Sequence, residues 1–272
     1  MNDWVKIIRP INGFMGIIAT LISGFIGVGF RLPDYYIEIS MAAIAVLLVT
    51  SGGNIINDVV DIETDRVNHP ERPLVTGRIS VKSAETAATA SFLAALLISG
   101  AFISLLALAV VALAEVFLIL YEFKTKKLGF SGNVMISILV GLIFVFGGIA
   151  VHSVRSMAIL FVMASLANLS REIIKDIQDM GGDIDRKTLP KIYGVKISAG
   201  IATTAVLIAV VLSYMPYYLG IFRIYYLLPV AISDALFIFS VSMIIQHPDT
   251  SQKISKIAMI VGLASFALGG TL

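Results

Sequence analysis

No cysteine occurs anywhere in the 272 residues. Disulfides, zinc–thiolate centres, iron–sulfur clusters and thiol nucleophiles are therefore excluded. Three histidines leave little room for a histidine-based metal site. Charge is scarce too: Asp, Glu, Lys and Arg make up 14% of the chain, against about 25% in a soluble domain. Apolar residues fill the space, at 58%, and the mean hydropathy is +0.94. So much apolar surface has no water-compatible arrangement, and the chain belongs in a bilayer. A disordered protein, a soluble enzyme and a nucleic-acid binder are excluded on the same ground. Net charge, at +2, decides nothing. Any chemistry falls to the few polar residues.

A membrane-crossing helix needs about 20 mostly apolar residues. Nine such spans are expected, at 13–30, 37–59, 83–103, 104–122, 133–151, 156–175, 197–214, 224–245 and 254–271. Only a short turn near Gly100–Ser104 separates the third from the fourth, and one long helix is the competing reading. A cleaved signal peptide is not expected, because the first apolar run is long enough to span and follows Lys6, Arg9 and Pro10. Two connections are long, roughly 60–82 and 176–196, and both are rich in charge, Gly and Pro. With nine spans, every Lys and Arg except Arg31, Arg155 and Arg223 lies on one side. The positive-inside rule then places the N-terminus and both long loops in the cytoplasm of a multi-pass cell-membrane protein. Fusing spans three and four would scatter the basic loops across both faces. The expected fold is all-α and polytopic, one membrane domain over residues 1–272.

The ends of the second and sixth spans stand out. The first reads Asn57-Asp58-Val59-Val60-Asp61-Ile62-Glu63-Thr64-Asp65, the second Lys175-Asp176-Ile177-Gln178-Asp179-Met180-Gly181-Gly182-Asp183. Both are x-D-x-x-D-x-x-x-D. The match continues through Pro73 and Pro190 to Gly77-Arg78-Ile79-Ser80 and Gly194-Val195-Lys196-Ile197-Ser198. Four spans lie between the copies. A parallel repeat is expected, two four-helix units at about 10–125 and 130–245 plus the ninth helix. Both acidic segments then leave the membrane on one side.

On a helix, positions i, i+3 and i+7 lie along one stripe. Asp58, Asp61 and Asp65 are expected to project together, with Asn57 at the edge, and Asp176, Asp179 and Asp183 likewise if the helix survives Gly181-Gly182. Six converging carboxylates repel one another and need a cation. Oxygen ligands without His or Cys suit a hard ion, Mg²⁺ or Ca²⁺. Mg²⁺ takes one or two carboxylates and completes its shell with water and phosphate oxygens. A Mg²⁺-bridged diphosphate between two Asp-rich faces is the expectation; solvated loop charges capping helix ends are the plainer alternative. Arg66, Arg72, Arg78, Arg186, Lys187, Lys191 and the Lys124–Lys127 loop are either phosphate contacts or interfacial anchors. Arg9 and Asn12 at the mouth of the first span are equally two-sided. Glu115 and Asp234 lie within spans, as functional carboxylates or as packing residues. Glu172 sits one turn before Asp176.

These residues resemble the UbiA superfamily of intramembrane prenyltransferases. Its first motif, N-D-x-x-D-x-x-x-D, is matched by Asn57, Asp58, Asp61 and Asp65, and Asn68, Arg72, Pro73 and Gly77 follow its pattern. Its Y-x-x-x-x-K element is similar to Tyr121 and Lys126, followed by Gly132-Asn133. The second acidic motif is matched by Asp176, Asp179 and Asp183. The likeness covers nearly the whole chain and implies nine helices. It also implies catalytic roles for Asp61, Asp65, Asp179 and Asp183, and Mg²⁺ ligation by those four with Asp58 and Asp176. Asn57, Arg72, Tyr121, Lys126 and Asn133 are implied diphosphate contacts.

The run Arg171 to Asp179, with Gly182-Asp183 and Thr188-Leu189-Pro190, is most similar to the branch that makes archaeal ether lipids. Those enzymes transfer a geranylgeranyl group from its diphosphate to the hydroxyl of geranylgeranylglyceryl phosphate. For that phosphate acceptor, surplus cations near the second motif and the N-terminus nominate Arg9 and Lys175. Prenylation of an aromatic quinone precursor is the alternative within the same chemistry, and a cation-coupled transporter the alternative from another class. A CDP-alcohol phosphotransferase is disfavoured, because neither acidic segment contains D-G-x-x-A-R.

Overall fold

The computed structural model describes residues 2–181 and 187–270, and these are helical with no strand among them. The long helices are α1 Pro10–Val28, α2 Tyr36–Val60, α3 Val81–Phe102, α4 Leu105–Phe123, α5 Phe130–Ala150, α6 Met157–Gln178, α7 Val195–Ser213, α8 Leu227–Ser242 and α9 Pro248–Gly270. Eight helical stretches among the described residues are long and apolar enough to cross a membrane, the first being the 51 residues Pro10–Val60. If straight, that stretch would run about 76 Å, more than twice the hydrocarbon core of about 30 Å. It does not run straight. A 3-10 segment, Gly29–Tyr35 with Pro33 inside, turns the chain, and α1 packs back against α2.

The third and fourth spans are separate helices. Ser104 is extended (φ −173°, ψ 165°), and its hydroxyl accepts from the Ala107 amide at 3.1 Å, capping α4. Ser80 caps α3 in the same way, through the Ser83 amide. A side-chain oxygen at the N-cap satisfies an amide that has no partner within the helix. Pro10 and Pro248 open α1 and α9, where a missing amide proton costs nothing. The last helix therefore begins six residues ahead of its expected start.

Between membrane helices, small residues let backbones approach. Ala42, Ala45, Ala84, Ala88 and Ala95 are fully buried where α2 meets α3. A Cβ on Gly52 would lie 2.6 Å from the Phe92 ring. Buried hydroxyls find carbonyls: Ser23 donates to the Phe144 carbonyl at 2.6 Å and so ties α1 to α5. Ser240 and Ser251 each donate to the other's carbonyl at 2.8 Å between α8 and α9.

The central helices are α2, against α1, α3 and α4, and α6, against α5, α7 and α9. α1 and α4 meet α5, and α9 closes against α1 and α8. The arrangement leaves a cavity of about 940 Å³, with walls from every long helix except α3. Its depth is apolar, with Val46, Phe144, Phe146, Met163, Val230 and Phe266 among the lining.

Candidate active site

The polar end of the cavity lies where α1 and α9 begin and α2, α4 and α6 end. Asn57 is the hub of its first wall. Its amide nitrogen donates to both Glu122 oxygens at 3.0 and 3.1 Å, and its carbonyl oxygen accepts from Arg9 Nη2 at 3.1 Å. Glu122 also accepts from Lys126 Nζ at 2.8 Å, and the same ammonium donates to Asp61 at 2.6 Å. Asn57, Glu122, Lys126 and Asp61 thus form one connected network. Lys126 lies over the Tyr121 ring, 5.9 Å from its centroid, in range of a cation–π contact.

The first acidic stripe is split, contrary to expectation. Helix α2 ends at Val60, Asp61 is kinked (φ −91°, ψ 8°), and a short helix Ile62–Asn68 restarts the chain. Asp58 and Asp65 both accept from Arg72 Nη1, Asp58 at 3.0 Å. Asp61 turns instead to Lys126. Asp58, 4% exposed, also accepts from Arg9. It is held by two guanidiniums, those of Arg9 and Arg72. Burial pushes the Asp65 carboxyl above its ordinary value, against the pull of Arg72.

Among the described residues, no three acidic or histidine side chains group as a ready metal site. Arg9, Arg72 and Lys126 stand among the carboxylates of the first motif and offset their mutual repulsion. Asp183, and the basic residue Arg186, lie outside the described residues.

The loop from α4 to α5 joins the two motifs. Lys126 reaches Asp61 from its start, and Asn133, in the first turn of α5, donates to Asp176 at 2.8 Å. The loop is tight enough to require glycine. Gly129 has φ 66°, with the Lys187 carbonyl 2.6 Å from where a Cβ would stand, and a Cβ on Gly132 would lie 2.7 Å from the Thr125 carbonyl. Helix α6 ends at Gln178, and Asp179 begins a 3-10 turn to Gly181. Asp179 caps the helix, its amide bonded to the Lys175 carbonyl, so Asp176 and Asp179 stay in helical register at the helix end.

Arg9 is strained. It has left-handed backbone (φ 51°, ψ 69°) directly before Pro10, a conformation costing an L-residue about 1–2 kcal/mol. Its bonds to Asn57 and Asp58 hold it there. Arg9 therefore serves the first motif, while Lys175, the other cation expected for the acceptor, lies on the cavity wall beside Glu172 at 3.9 Å. Glu115 is buried with one oxygen lacking a hydrogen bond, and Asp234 accepts from Ser213 at 2.8 Å deep in the cavity.

Sequence reasoning gave Glu122 no role, although Glu122 and Lys126 stand at the i, i+4 spacing of an ion pair. It also passed over Lys256, which lines the cavity from α9; no motif marks that residue.

The sequence matches the model of the UbiA prenyltransferase family over residues 17–265. A digeranylgeranylglyceryl phosphate synthase from Methanosphaera stadtmanae is 40% identical, over 99% of each chain. A solved structure described as digeranylgeranylglyceryl phosphate synthase superposes with a TM-score of 0.80 at 36% identity, covering 98% of this chain and 97% of that one. A UbiA homologue from Archaeoglobus fulgidus, solved with DMAPP and Mg²⁺, shares the fold at a TM-score of 0.67 and 18% identity, over 98% of this chain and all of its own.

Proposed function

The chain belongs to the UbiA prenyltransferase family, and on that premise we propose that it transfers a geranylgeranyl group from its diphosphate to the free hydroxyl of geranylgeranylglyceryl phosphate, with Mg²⁺ as cofactor. It is an intramembrane prenyltransferase; the two substrates, the metal and the residue roles are the proposal. The observation that carries the reading is a polar, charged rim opening on a deep apolar cavity. At about 940 Å³ the cavity is at the upper end of ordinary ligand pockets, about 300–1,000 Å³, as long prenyl tails require.

The donor set fits Mg²⁺. It consists of carboxylate and amide oxygens without His or Cys, and the ion needs only one or two carboxylates when phosphate oxygens and water complete its shell. Asp61, Asp65, Asp176, Asp179 and Asp183 are the residues to hold it. Mg²⁺, when bound, offsets the charge that builds on the leaving diphosphate as the allylic C–O bond breaks. Lys126 and Arg72 donate to diphosphate oxygens, which draw these cations away from Asp61 and Asp65 and free both carboxylates. Asn57, Tyr121 and Asn133 frame the same anion. The apolar walls hold the prenyl tail and keep water from quenching the allylic cation. The acceptor oxygen is brought to the cation mainly by proximity, and its proton leaves to a carboxylate or to the departing diphosphate. Asp58 and Arg9 keep this wall in register. We also read 10–125 and 130–245 as duplicated units, and the motif side as cytoplasmic.

The test is purified protein with Mg²⁺, labelled geranylgeranyl diphosphate and a panel of acceptors. Labelled digeranylgeranylglyceryl phosphate is expected. Equal or faster labelling of a hydroxybenzoate acceptor would overturn the substrate assignment.

A further inference from the structure

The charges around the cavity mouth are divided unequally. On the first wall the cations Arg9, Arg72 and Lys126 face four carboxylates, Asp58, Asp61, Asp65 and Glu122. Across the mouth Arg171, Lys175 and Lys256 line the cavity from α6 and α9, and Glu172 stands beside the first two. Glu172 accepts from Arg171 at 3.0 Å and stands 3.9 Å from Lys175. Lys256 forms no ion pair with a described residue. On the membrane side of Asp176 and Asp179, the three cations Arg171, Lys175 and Lys256 outnumber the one carboxylate paired with them, Glu172, and this surplus takes an anion.

A single bond sets the register of that second wall. Gln178, the last residue of α6, donates to Asp249 in the first turn of α9 at 2.7 Å. Arg171 and Lys175 lie seven and three positions before Gln178, on its stripe, and Lys256 lies seven positions after Asp249, on that residue's stripe. The two helices leave the bond side by side, both running into the membrane. At 1.5 Å per residue, the backbones of Arg171 and Lys256 are each about 10 Å from it along their helices, with Lys175 a turn nearer. Guanidinium and ammonium groups on adjoining helices that line one cavity make a site for a phosphate: Arg supplies a planar fork and Lys a point charge.

We propose that Arg171, Lys175 and Lys256 form a phosphate-binding subsite for the acceptor, beside the diphosphate site that the two acidic motifs frame. The assignment rests on the prenyl-transfer reading above and adds where the acceptor's charged end sits. The subsite anchors the headgroup at one side of the mouth and leaves the acceptor hydroxyl to reach across toward the donor. Cations reserved for the acceptor phosphate offset its repulsion from the donor diphosphate.

The test compares Lys256→Gln and Lys175→Gln with the native protein, using geranylgeranylglyceryl phosphate and its unphosphorylated alcohol as acceptors. A charge-assisted hydrogen bond is worth about 1.5–3 kcal/mol, about ten- to a hundredfold. Each variant is expected to raise the KM for the phosphate acceptor by about that factor while the KM for geranylgeranyl diphosphate moves less than about threefold. The kcat/KM preference for phosphate over alcohol is expected to fall in proportion, and Lys256→Arg to restore it. A parallel rise in both KM values, or an unchanged preference, overturns the subsite. If Lys256→Gln does not fold, Lys256→Arg with Lys175→Gln decides by the same ratio. Failure of the native protein to use the phosphate acceptor at all would instead defeat the wider functional reading. Competition by inorganic phosphate separates recognition of phosphate from recognition of the whole lipid headgroup: inhibition of the native protein that weakens in Lys256→Gln supports the subsite, and inhibition undiminished in the variant counts against it.

Discussion

Replacing Lys126 by methionine removes one ammonium and leaves two carboxylates facing each other. The Lys126 and Glu122 side chains are 6% and 5% exposed and that of Asp61 13%, so solvent screens them poorly. The acceptor oxygens lie 2.6 and 2.8 Å from the same nitrogen, so they are no farther apart than about 5.4 Å. Two unit charges at that distance repel by about 3 kcal/mol at an effective dielectric of 20. That agrees with the cost of breaking a buried ion pair from one side, about 3–5 kcal/mol. Methionine keeps most of the side-chain volume, so packing loss adds little. The expected result is a fall of about 6–12 °C in the midpoint of thermal unfolding in detergent, at about 2–4 °C per kcal/mol. Adding Glu122→Gln removes the repulsion, and the double variant is expected to recover at least half of the loss. Turnover is lost in both, because neither restores the cation that meets the diphosphate. A single variant that melts within 2 °C of the native protein, or a double variant no more stable than the single, would refute the network as drawn.

Three further outcomes are expected. Asp61→Asn or Asp179→Asn lowers turnover by about a hundredfold or more, and chelation of divalent cations abolishes it in the native protein; full activity in EDTA would defeat the metal assignment. Arg72→Gln removes the cation that holds down the already raised Asp65 carboxyl in the free enzyme, so Asp65 keeps its proton to higher pH; because the proposed role of Asp65 needs its carboxylate form, the acid limb of the kcat/KM profile moves upward, and an unmoved limb would exclude Asp65 from the reaction. Because the chain has no cysteine, single cysteines at the exposed positions Ser80 and Lys196 report sidedness: both are expected to label from the cytoplasm and Arg155→Cys from outside, and labelling of Ser80→Cys and Lys196→Cys from opposite faces would break the parallel repeat.

Most of the architecture was legible because a bilayer admits few solutions. Apolar runs of spanning length must be helices, since no water is present to satisfy a free backbone. The boundary at Ser104 was visible as a serine between two apolar runs, and only its extended backbone separates it from an uninterrupted helix. The site residues were legible by type more than by arrangement. Asp58, Asp61 and Asp65 have the spacing of one stripe, yet a kink at a single residue sends Asp61 to Lys126 and leaves Asp58 and Asp65 to Arg72. Nothing in a local window shows that kink, because the partners come from a loop and from another helix. Arg9 was nominated for the acceptor on charge alone; that its side chain reaches Asp58, forty-nine positions away in sequence, is a contact no local window shows.

The residues themselves determined that this protein lives in a membrane, that it crosses it with a series of apolar helices, and that most of its charge is gathered at their ends. Composition and periodicity suffice for these, because each follows from the transfer of groups between water and hydrocarbon. Only the tertiary structure decided which charges neutralise which. Asn57, Glu122, Lys126 and Asp61 become one network, and Gln178 at the end of α6 is joined to Asp249 at the start of α9. Pairing energies depend on distance and burial, and both are set by which helices meet, a property of the whole bundle that no segment carries by itself.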